Sequence, residues 1–398
     1  MTEHPVLGQV ALGYSPMIDR HRAITALRLT VFPIRPEVTP DAADLLAALV
    51  EVWPEDAGRI SLNIVSETLL DGLMRAALPL NLMLEVPAFM ASDLACTAAL
   101  AKLHHNGNTL LIKGRPLAPL PREVLPCFAY SIIDLTDERR DGMPPPGGVS
   151  RNIPHVQAGV RTLVEMADSF GRGAIAVLGW PIDDVAPARS ATGRSGQPEL
   201  TAIVELINRV DRAEPIDRLE AVMKNDPTMA FKLMRYINSP AFGLRVEISS
   251  FRHAIMLLGY QRLKRWLALL LATASKDVNL RPVMFAAVRR GLLMEELVAG
   301  SGDEEMRNEV FICGVFSLLD RMFQESFAKL LGSIPVPERV YQALVKNTGP
   351  FQPYLAMVRA AEGESVFEYR EAAEHLLMSV AEINRAQLRA LMGAGSLD

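Results

Sequence analysis

The residues able to do acid–base or metal chemistry are scattered through this 398-residue chain without the spacing that such chemistry needs. Of seven histidines, none is followed by aspartate, and His253 is the only one between residues 197 and 365. A single histidine near a helix start is more often a capping or core residue than a metal ligand. Cys96, Cys127 and Cys313 lie far apart, which predicts buried thiols in a reducing compartment and neither a disulfide frame nor a zinc site.

The composition is that of a globular chain with no strong electrostatic preference. Hydrophobic residues make up 49% of it and charged residues 22%, with a formal net charge of -5, so we expect no general attraction to nucleic acid or anionic lipid. The N-terminus lacks the basic start and apolar run of a signal peptide. The longest apolar run, Trp266–Ala274, is about half of the roughly 20 residues that span a bilayer. These features predict a cytoplasmic protein without membrane insertion.

The first part of the chain alternates apolar runs with amphipathic helical stretches, which is the pattern of βα units around a mostly parallel sheet or barrel. Hydroxyl and acidic residues such as Thr39 and Ser92 are placed to cap the helices. The predicted strands are Val10–Ile18, Ala23–Phe32, Ile60–Val65, Leu80–Val86, Thr109–Lys113, Tyr130–Leu135 and Ala174–Trp180, and the predicted helices are Pro40–Val50, Glu67–Ala77, Ser92–His105 and His155–Phe170.

The composition changes at Asp183–Glu199, a stretch rich in Ala, Pro, Gly and Ser with no apolar periodicity. Such a stretch is typical of a linker between domains. Beyond it the apolar spacing is helical, with no competing strand pattern. We therefore predict an α/β domain over residues 1–182, a linker over 183–199, and an all-helical domain over 200–398.

One stretch of the helical domain carries a family resemblance. An Asn-Ser-Pro-Ala-Phe-Gly turn closes one predicted helix, and Ser249 or Ser250 begins another that Gly259 ends. Over roughly residues 197–365 this order resembles the HDOD domain, a relative of the HD phosphohydrolases that lacks their metal-binding histidines and aspartates. The resemblance implies a bacterial protein whose helical domain has a structural or partner-binding signature and no hydrolytic site. The signature residues are Asn238, Ser239, Phe242, Gly243, Leu258 and Gly259.

The cations after this signature allow two interpretations. They form either a solvated face with ion pairs to residues such as Glu247, Glu295 and Glu296, or a docking surface for an acidic partner or a nucleotide. No aromatic residues interleave with them, so a single-stranded nucleic acid is not expected as a partner. The residues concerned are Arg262, Lys264, Arg265, Arg289 and Arg290.

Three strands of the first domain carry a second resemblance. Tyr14-Ser15-Pro16-Met17-Ile18-Asp19, Leu62-Asn63-Ile64 and Leu84-Glu85-Val86 look like the opening, Asn-bearing and Glu-bearing strands of the EAL domain. That domain is a (β/α) barrel that hydrolyses cyclic di-GMP in bacteria, and its pairing with an HDOD domain in one chain is a known combination. The resemblance implies carboxylates at the strand ends that hold two divalent metals.

The chain departs from the EAL pattern at most positions that this chemistry needs. The name-giving Glu-Ala-Leu is Thr25-Ala26-Leu27, Ala88 replaces the next glutamate, and Lys113 falls near the paired aspartates. Ile132 takes the place of the catalytic lysine two positions before Asp134. The late Glu-bearing segment reads Leu178-Gly179-Trp180-Pro181, without a carboxylate.

Only Asn63, Glu85 and Asp134 remain of the EAL polar positions, and no equivalent of the final strand is evident. We therefore expect a degenerate, incomplete EAL-type barrel with an open edge that needs covering. We expect it to have no catalytic residue, no metal site and no cofactor.

The favoured hypothesis is a non-catalytic regulatory protein of cyclic di-GMP signalling that acts through contacts with other signalling proteins, with a homodimer left open. The alternatives are a cyclic di-GMP phosphodiesterase and a cyclic di-GMP receptor that does not hydrolyse its ligand. Binding of cyclic di-GMP is not expected, because Lys113 falls in the site and the late segment is lost.

Overall fold

Two groups of residues pack separately in the computed structural model, one from residues 1–184 with 359–388 and the other from 185–358 with 389–398. We call them the barrel unit and the helical unit. The predicted domain boundaries placed residues 359–388 in the all-helical domain, whereas these residues pack with the barrel unit. The predicted linker lies almost entirely outside the described residues. Those residues are 4–35, 37–116, 120–136, 153–184, 198–224, 251–273, 275, 277–332 and 334–393.

Eight strands form a closed barrel in the barrel unit. Neighbouring strands from β2 to β8 pair in parallel. Strand β1 runs antiparallel to both β2 and β8 and so closes the ring. The strands are β1 (Val10–Asp19), β2 (Ile24–Pro33), β3 (Ile60–Ile64), β4 (Leu82–Pro87), β5 (Leu110–Lys113), β6 (Phe128–Asp134), β7 (His155–Ala158) and β8 (Ala176–Leu178).

The closed ring corrects the expectation of an open, incomplete barrel. The sequence pattern assigned His155 to the start of a helix, but residues 155–158 form β7, and the helix begins only at Leu163. Thr162 caps that helix in a capping box with Glu165. Strand β7 is short and begins with a polar residue, so it lacks the apolar run by which the other strands were predicted. With β7 present, no open edge needs a cover.

The barrel unit places helices after the strands, as the alternating pattern predicts. Asp41, Ser66 and Asp93 cap three of them by accepting a backbone hydrogen bond in the first turn. Asp41 and Asp93 therefore take the roles predicted for Thr39 and Ser92. The helices are α1 (Ala42–Val52), α2 (Glu67–Arg75), α3 (Ala88–Ala91), α4 (Leu94–His105) and α5 (Leu163–Gly171).

Apolar side chains fill the barrel interior below its carboxyl-terminal mouth. Beside this core, the buried Trp180 ring packs edge-on against Tyr14 with centroids 5.4 Å apart, and its indole N–H donates to the Tyr14 carbonyl. Gly179 precedes Trp180 at φ 140°, where a Cβ would lie 2.1 Å from the Val160 carbonyl oxygen. The segment Leu178-Gly179-Trp180-Pro181 therefore has a packing role. The interior cluster contains Met17, Ala26, Met83, Leu111, Ile132, Val156, Ala158, Ala176 and Leu178.

Residues 359–388 of the C-terminal part of the sequence pack with the barrel unit. Buried Asn384 donates two hydrogen bonds of 2.7 Å to the carbonyls of Leu7 and Val10, and its Oδ1 accepts from the Leu12 amide and the Tyr369 hydroxyl. One side chain therefore satisfies four groups around the start of β1. Two helices follow in this segment, because Leu377 adopts a left-handed φ of 54° and ends the first of them. They are α15 (Val366–Leu376) and α16 (Val380–Gly393).

The helical unit contains the helices that the apolar periodicity predicts. Gly259 has a φ of 68° and interrupts α8, as expected for the residue that ends the signature helix. Asn238, Ser239, Phe242 and Gly243 lie outside the described residues. The described helices of this part of the chain are α6 (Pro198–Asp211), α7 (Ile216–Lys224), α8 (Phe251–Thr273), α9 (Arg281–Leu297), α10 (Glu304–Phe316), α11 (Leu319–Phe323), α12 (Phe327–Leu330), α13 (Glu338–Tyr341) and α14 (Gln352–Ala361).

Ion pairs engage the cations that follow the signature. Arg265 makes two hydrogen bonds to Glu295, Arg262 pairs with Glu304 at 3.0 Å, and Lys264 pairs with Asp211. The neighbouring Arg289 and Arg290 are buried, and Arg289 donates to the last carbonyls of α16. For these residues the structure matches the first interpretation, a face with internal ion pairs.

Cys96, Cys127 and Cys313 are buried, as predicted. Among the described residues, no helix combines the length and the apolarity needed to cross a bilayer.

We expect Asn384→Leu to lower the free energy of unfolding by about 3 kcal/mol, because it leaves buried carbonyl, amide and hydroxyl groups without partners. The exposed Asn279→Leu is the matched control and should have little effect. Urea unfolding measures the difference. Equal stability of both variants and the wild type would contradict this role for Asn384.

His4 contacts two carboxylates of α1, a set of contacts that we call the N-terminal clamp. We expect its contribution to stability to depend on pH. Its imidazole contacts Asp44 at 2.7 Å and Glu51 at 3.0 Å, and these hydrogen bonds raise its pKa above the ordinary 6.5. The stabilisation is therefore full below the unfolded pKa and is lost as the pH rises through the folded value. Melting curves should show a wild-type advantage over His4→Gln at pH 6 that shrinks by pH 9; a constant advantage would refute the clamp.

Candidate functional site at the barrel mouth

A polar cluster occupies the carboxyl-terminal end of the barrel, the face where barrels of this kind carry their sites. It lies above the apolar interior and is built by neighbouring strands. Register places Arg28 of β2 opposite Ser61 of β3, and Thr30 opposite Asn63. We call it the barrel-mouth cluster, and its members are Arg28, Thr30, Ser61, Asn63, Glu85, Lys113 and Glu364.

The centre of the cluster is a buried ion pair. The Glu85 side chain is fully buried, and Arg28 is 4% exposed. Arg28 Nε donates to Glu85 Oε1 at 2.9 Å and Nη2 donates to Oε2 at 2.8 Å, while Ser61 Oγ donates to Oε1 at 2.9 Å. This two-point geometry satisfies both carboxylate oxygens, as a charge removed from water requires.

A second chain of contacts surrounds Asn63. Lys113 Nζ donates to Asn63 Oδ1 at 2.9 Å, and Asn63 Nδ2 donates to Thr30 Oγ1 at 3.2 Å. Burial, followed by the positive charge of Arg28, lowers the pKa of the Lys113 ammonium. Lys113 therefore lies in the cluster, where the sequence placed a cation at a ligand position.

The C-terminal part of the barrel unit adds a carboxylate to the cluster. Glu364, just before α15, accepts a 2.8 Å hydrogen bond from Arg28 Nη1, and its own side chain is 62% exposed. The neighbouring Gly363 carbonyl lies so near β1 that a Cβ on Gly13 would be 3.0 Å from its oxygen. Arg28 thus joins a strand of the barrel to a segment more than three hundred residues away in sequence.

Of the remaining predicted positions, Asp134 lies near enough for its negative charge to act in the upward direction on the pKa of Arg28 and of Lys113, although its hydrogen bonds go elsewhere. Asp134 accepts hydrogen bonds from the Thr136 amide and hydroxyl, and Ile132 belongs to the apolar interior. Thr25 lies at the opposite end of β2, where its hydroxyl donates to Met17. Thr30, which sequence reasoning missed, is the β2 residue paired with Asn63.

The barrel-mouth residues do not fit the two divalent metals that the EAL resemblance implies. Arg28 and Ser61 engage both oxygens of Glu85, and Lys113 already donates to the carbonyl oxygen of Asn63. The Arg28 guanidinium and the Lys113 ammonium thus already contact the Glu85 and Asn63 oxygens that a metal ion would need, and both groups repel cations. Among the described residues, no group of three or more His, Cys, Asp and Glu side chains is placed to hold a metal.

Sequence reasoning missed Arg28, Ser61 and Glu364. Arg28 did carry a signal, because it is the one charge within the apolar run of β2 (ITALRLTVFP). A charge in a buried strand requires a counter-charge, and Glu85 is the comparable residue of β4 (LMLEVP). No local signal marks Glu364, since its contact depends on the packing of the C-terminal segment.

The fold and cluster together define a two-part chain: a closed β/α barrel with an internally neutralised mouth, and an all-helical unit. Residues 198–327 match the HDOD domain family, so the helical unit contains an HDOD domain. This confirms the resemblance seen in the helical part of the sequence.

Curated relatives match only part of the chain. The uncharacterized protein YuxH of Bacillus subtilis is 24% identical over 185 residues, which cover 44% of this chain and 44% of YuxH. The cyclic di-GMP phosphodiesterase CdgJ of Vibrio cholerae is 26% identical over 167 residues, which cover 42% of this chain and 38% of CdgJ. The matches therefore span less than half the length of either relative.

Solved structures with EAL domains match part of this chain at low identity. The Bacillus subtilis YkuI protein, solved with cyclic di-GMP and calcium, is 12% identical with a TM-score of 0.32, and the match covers 64% of this chain and 73% of that one.

We expect Arg28→Met to lower the free energy of unfolding by about 3 to 5 kcal/mol, because it leaves the Glu85 charge buried and unpaired. Adding Glu85→Leu should recover most of that loss, since a buried pair is often replaceable by apolar residues.

The comparison variant is Glu364→Gln, which should cost less than about 1 kcal/mol because the side chain is mostly exposed. Urea unfolding of the wild type, Arg28→Met, Glu85→Leu and the double variant measures the coupling between positions 28 and 85. Additive losses from Arg28→Met and Glu85→Leu would contradict the central role of the pair.

Proposed function

We propose that this chain is a non-catalytic regulatory protein of cyclic di-GMP signalling that acts by binding other signalling proteins. The observation that carries the proposal is the two-point contact of Arg28 with Glu85. A phosphodiesterase barrel needs its strand-end carboxylates free to hold metal ions that activate water. Here the guanidinium group neutralises that carboxylate.

The link to cyclic di-GMP rests on the EAL-like order of strand motifs and on the relative CdgJ, which is named as a cyclic di-GMP phosphodiesterase. The regulatory role is supported by the HDOD domain, because its signature carries no hydrolytic residues. The proposed mechanism is recognition. The barrel is a stable scaffold, and its mouth network rigidifies the end at which an enzyme would bind substrate.

A second candidate function is cyclic di-GMP hydrolysis, which the name of CdgJ favours. Under this hypothesis Arg28 would have to release Glu85 when metal and substrate bind. That release would leave the arginine charge buried beside the incoming cations, so we rank it below the regulatory role.

The deciding experiment is incubation of the full-length protein with cyclic di-GMP and Mg²⁺ or Mn²⁺, with the linear product measured by chromatography. We expect no turnover by the wild type or by Glu85→Ala. Turnover by the wild type that disappears in Glu85→Ala would overturn the proposal in favour of the enzyme.

Calorimetry with cyclic di-GMP separates the regulator from a receptor that does not hydrolyse its ligand. We expect no binding heat, because the Arg28 and Lys113 charges are already engaged by Glu85, Glu364 and Asn63. Saturable binding that Lys113→Met weakens and the exposed Lys102→Met leaves unchanged would instead support the receptor.

A further inference from the structure

A groove in the helical unit follows one face of α10 beside the interruption of α8 at Gly259. Two clefts of about 600 and 230 Å³ form it, and they share Gln261, Glu305 and Asn308 as lining residues. Residues 305, 308 and 312 recur at helical spacing, so the groove extends along the helix axis. The Gly259 backbone lines its wider end.

Most charges that line the groove already have partners. Arg262 pairs with Glu304 at 3.0 Å, and Lys264 pairs with Asp211. Glu309 contacts Arg339 at 2.8 Å, and burial raises the pKa of this glutamate, with the charge of nearby Glu305 acting in the same direction. The groove lining contains more carboxylates than cations, so it carries an excess of negative charge.

Glu305 has no ion partner among the described residues, and it is exposed at the junction of the two clefts. Its position in the first turn of α10 is favourable for an acidic residue whatever its function, because the helix dipole attracts negative charge there. Glu305 alone is therefore no sign of a site.

Asn308 is the second and independent observation. It is only 6% exposed, it lines both clefts, and its side chain makes no hydrogen bond within the described part of the chain. The amide faces the two clefts, so it is available to bond a group that enters them.

Glu305 and Asn308 are three residues apart on α10, so their side chains lie on the same face. A carboxylate and an amide carbonyl side by side match the planar, multiple N–H donors of a guanidinium group better than they match an anion or an apolar group. We propose that this groove binds an arginine side chain of a partner protein, with Glu305 as its counter-ion and Asn308 as a neutral acceptor.

The rim of the groove fits a peptide better than a free small molecule. Leu257, which lines the wide cleft, is 46% exposed, and the adjacent Met256 is 60% exposed. Such exposed apolar side chains can contact the residue next to the arginine in the partner. The partner is thus a segment with an arginine beside an apolar residue.

The test uses the full-length protein with labelled asparagine side chains and follows the Asn308 amide by NMR. The probe is N-acetyl-arginine N-methylamide, and its isosteric control is the citrulline derivative, which keeps the shape and loses the charge. We expect a saturable shift of the Asn308 signal with the arginine probe and one at least about fivefold weaker with citrulline.

Glu305→Gln should weaken arginine binding by about fivefold, and the exposed Glu374→Gln should leave it unchanged. Asn308→Leu lacks the reporter signal, so its binding of the arginine probe is measured by calorimetry beside the wild type. It should weaken binding without loss of folding, since a residue of similar size fills the same space, and its melting curve checks the folding. Equal binding of the two probes, or no saturable shift up to the solubility of the arginine probe, would overturn the proposal. Neither result would bear on the cyclic di-GMP assay, which reports on the barrel unit.

Discussion

A carboxylate buried inside a barrel must be protonated or neutralised, and in this chain Arg28 neutralises Glu85. The arginine uses two of its nitrogens for Glu85 and a third for Glu364. In a low-dielectric interior each charge is tolerable only while the other is in place. The rest of the mouth follows from this pair, because Ser61 completes the shell of Glu85 and the charge of Arg28 helps to lower the pKa of Lys113.

The same constraint supports the proposal that this barrel does not act as a metal-dependent enzyme. Metal chemistry at strand ends needs carboxylates that are free to coordinate, and it gains from concentrated negative charge. At this mouth two cations lie among the polar residues, and each already has an acceptor. We therefore interpret the mouth as a structural network.

The C-terminal segment shows how a distant stretch becomes part of the barrel. Asn384 satisfies four polar groups around the first strand, and the Gly363 carbonyl approaches Gly13 so closely that a Cβ there would be in tight contact with it. Burial also raises the pKa of the Tyr369 phenol, which keeps its hydroxyl protonated as the donor to Asn384. A chain cut before residue 359 would expose these groups.

The sequence by itself determined the elements with strong local signals. Seven of the eight strands, the capped helices and the helix break at Gly259 follow from apolar periodicity, hydroxyl or acidic caps and a residue without a side chain. Glu85, Asn63 and Lys113 could also be singled out from the sequence, through the positions that the resemblance to the EAL domain assigns to them.

Only the tertiary structure decided the closure of the barrel and the partners within its mouth. Closure depends on β7, which is too short to show a pattern, and on β1 pairing with strands at both ends of the order. The contacts of Arg28 with Glu85 and Glu364 join residues 57 and 336 positions apart. No local pattern carries such pairings, because they depend on which strand ends and loops meet once the core is packed.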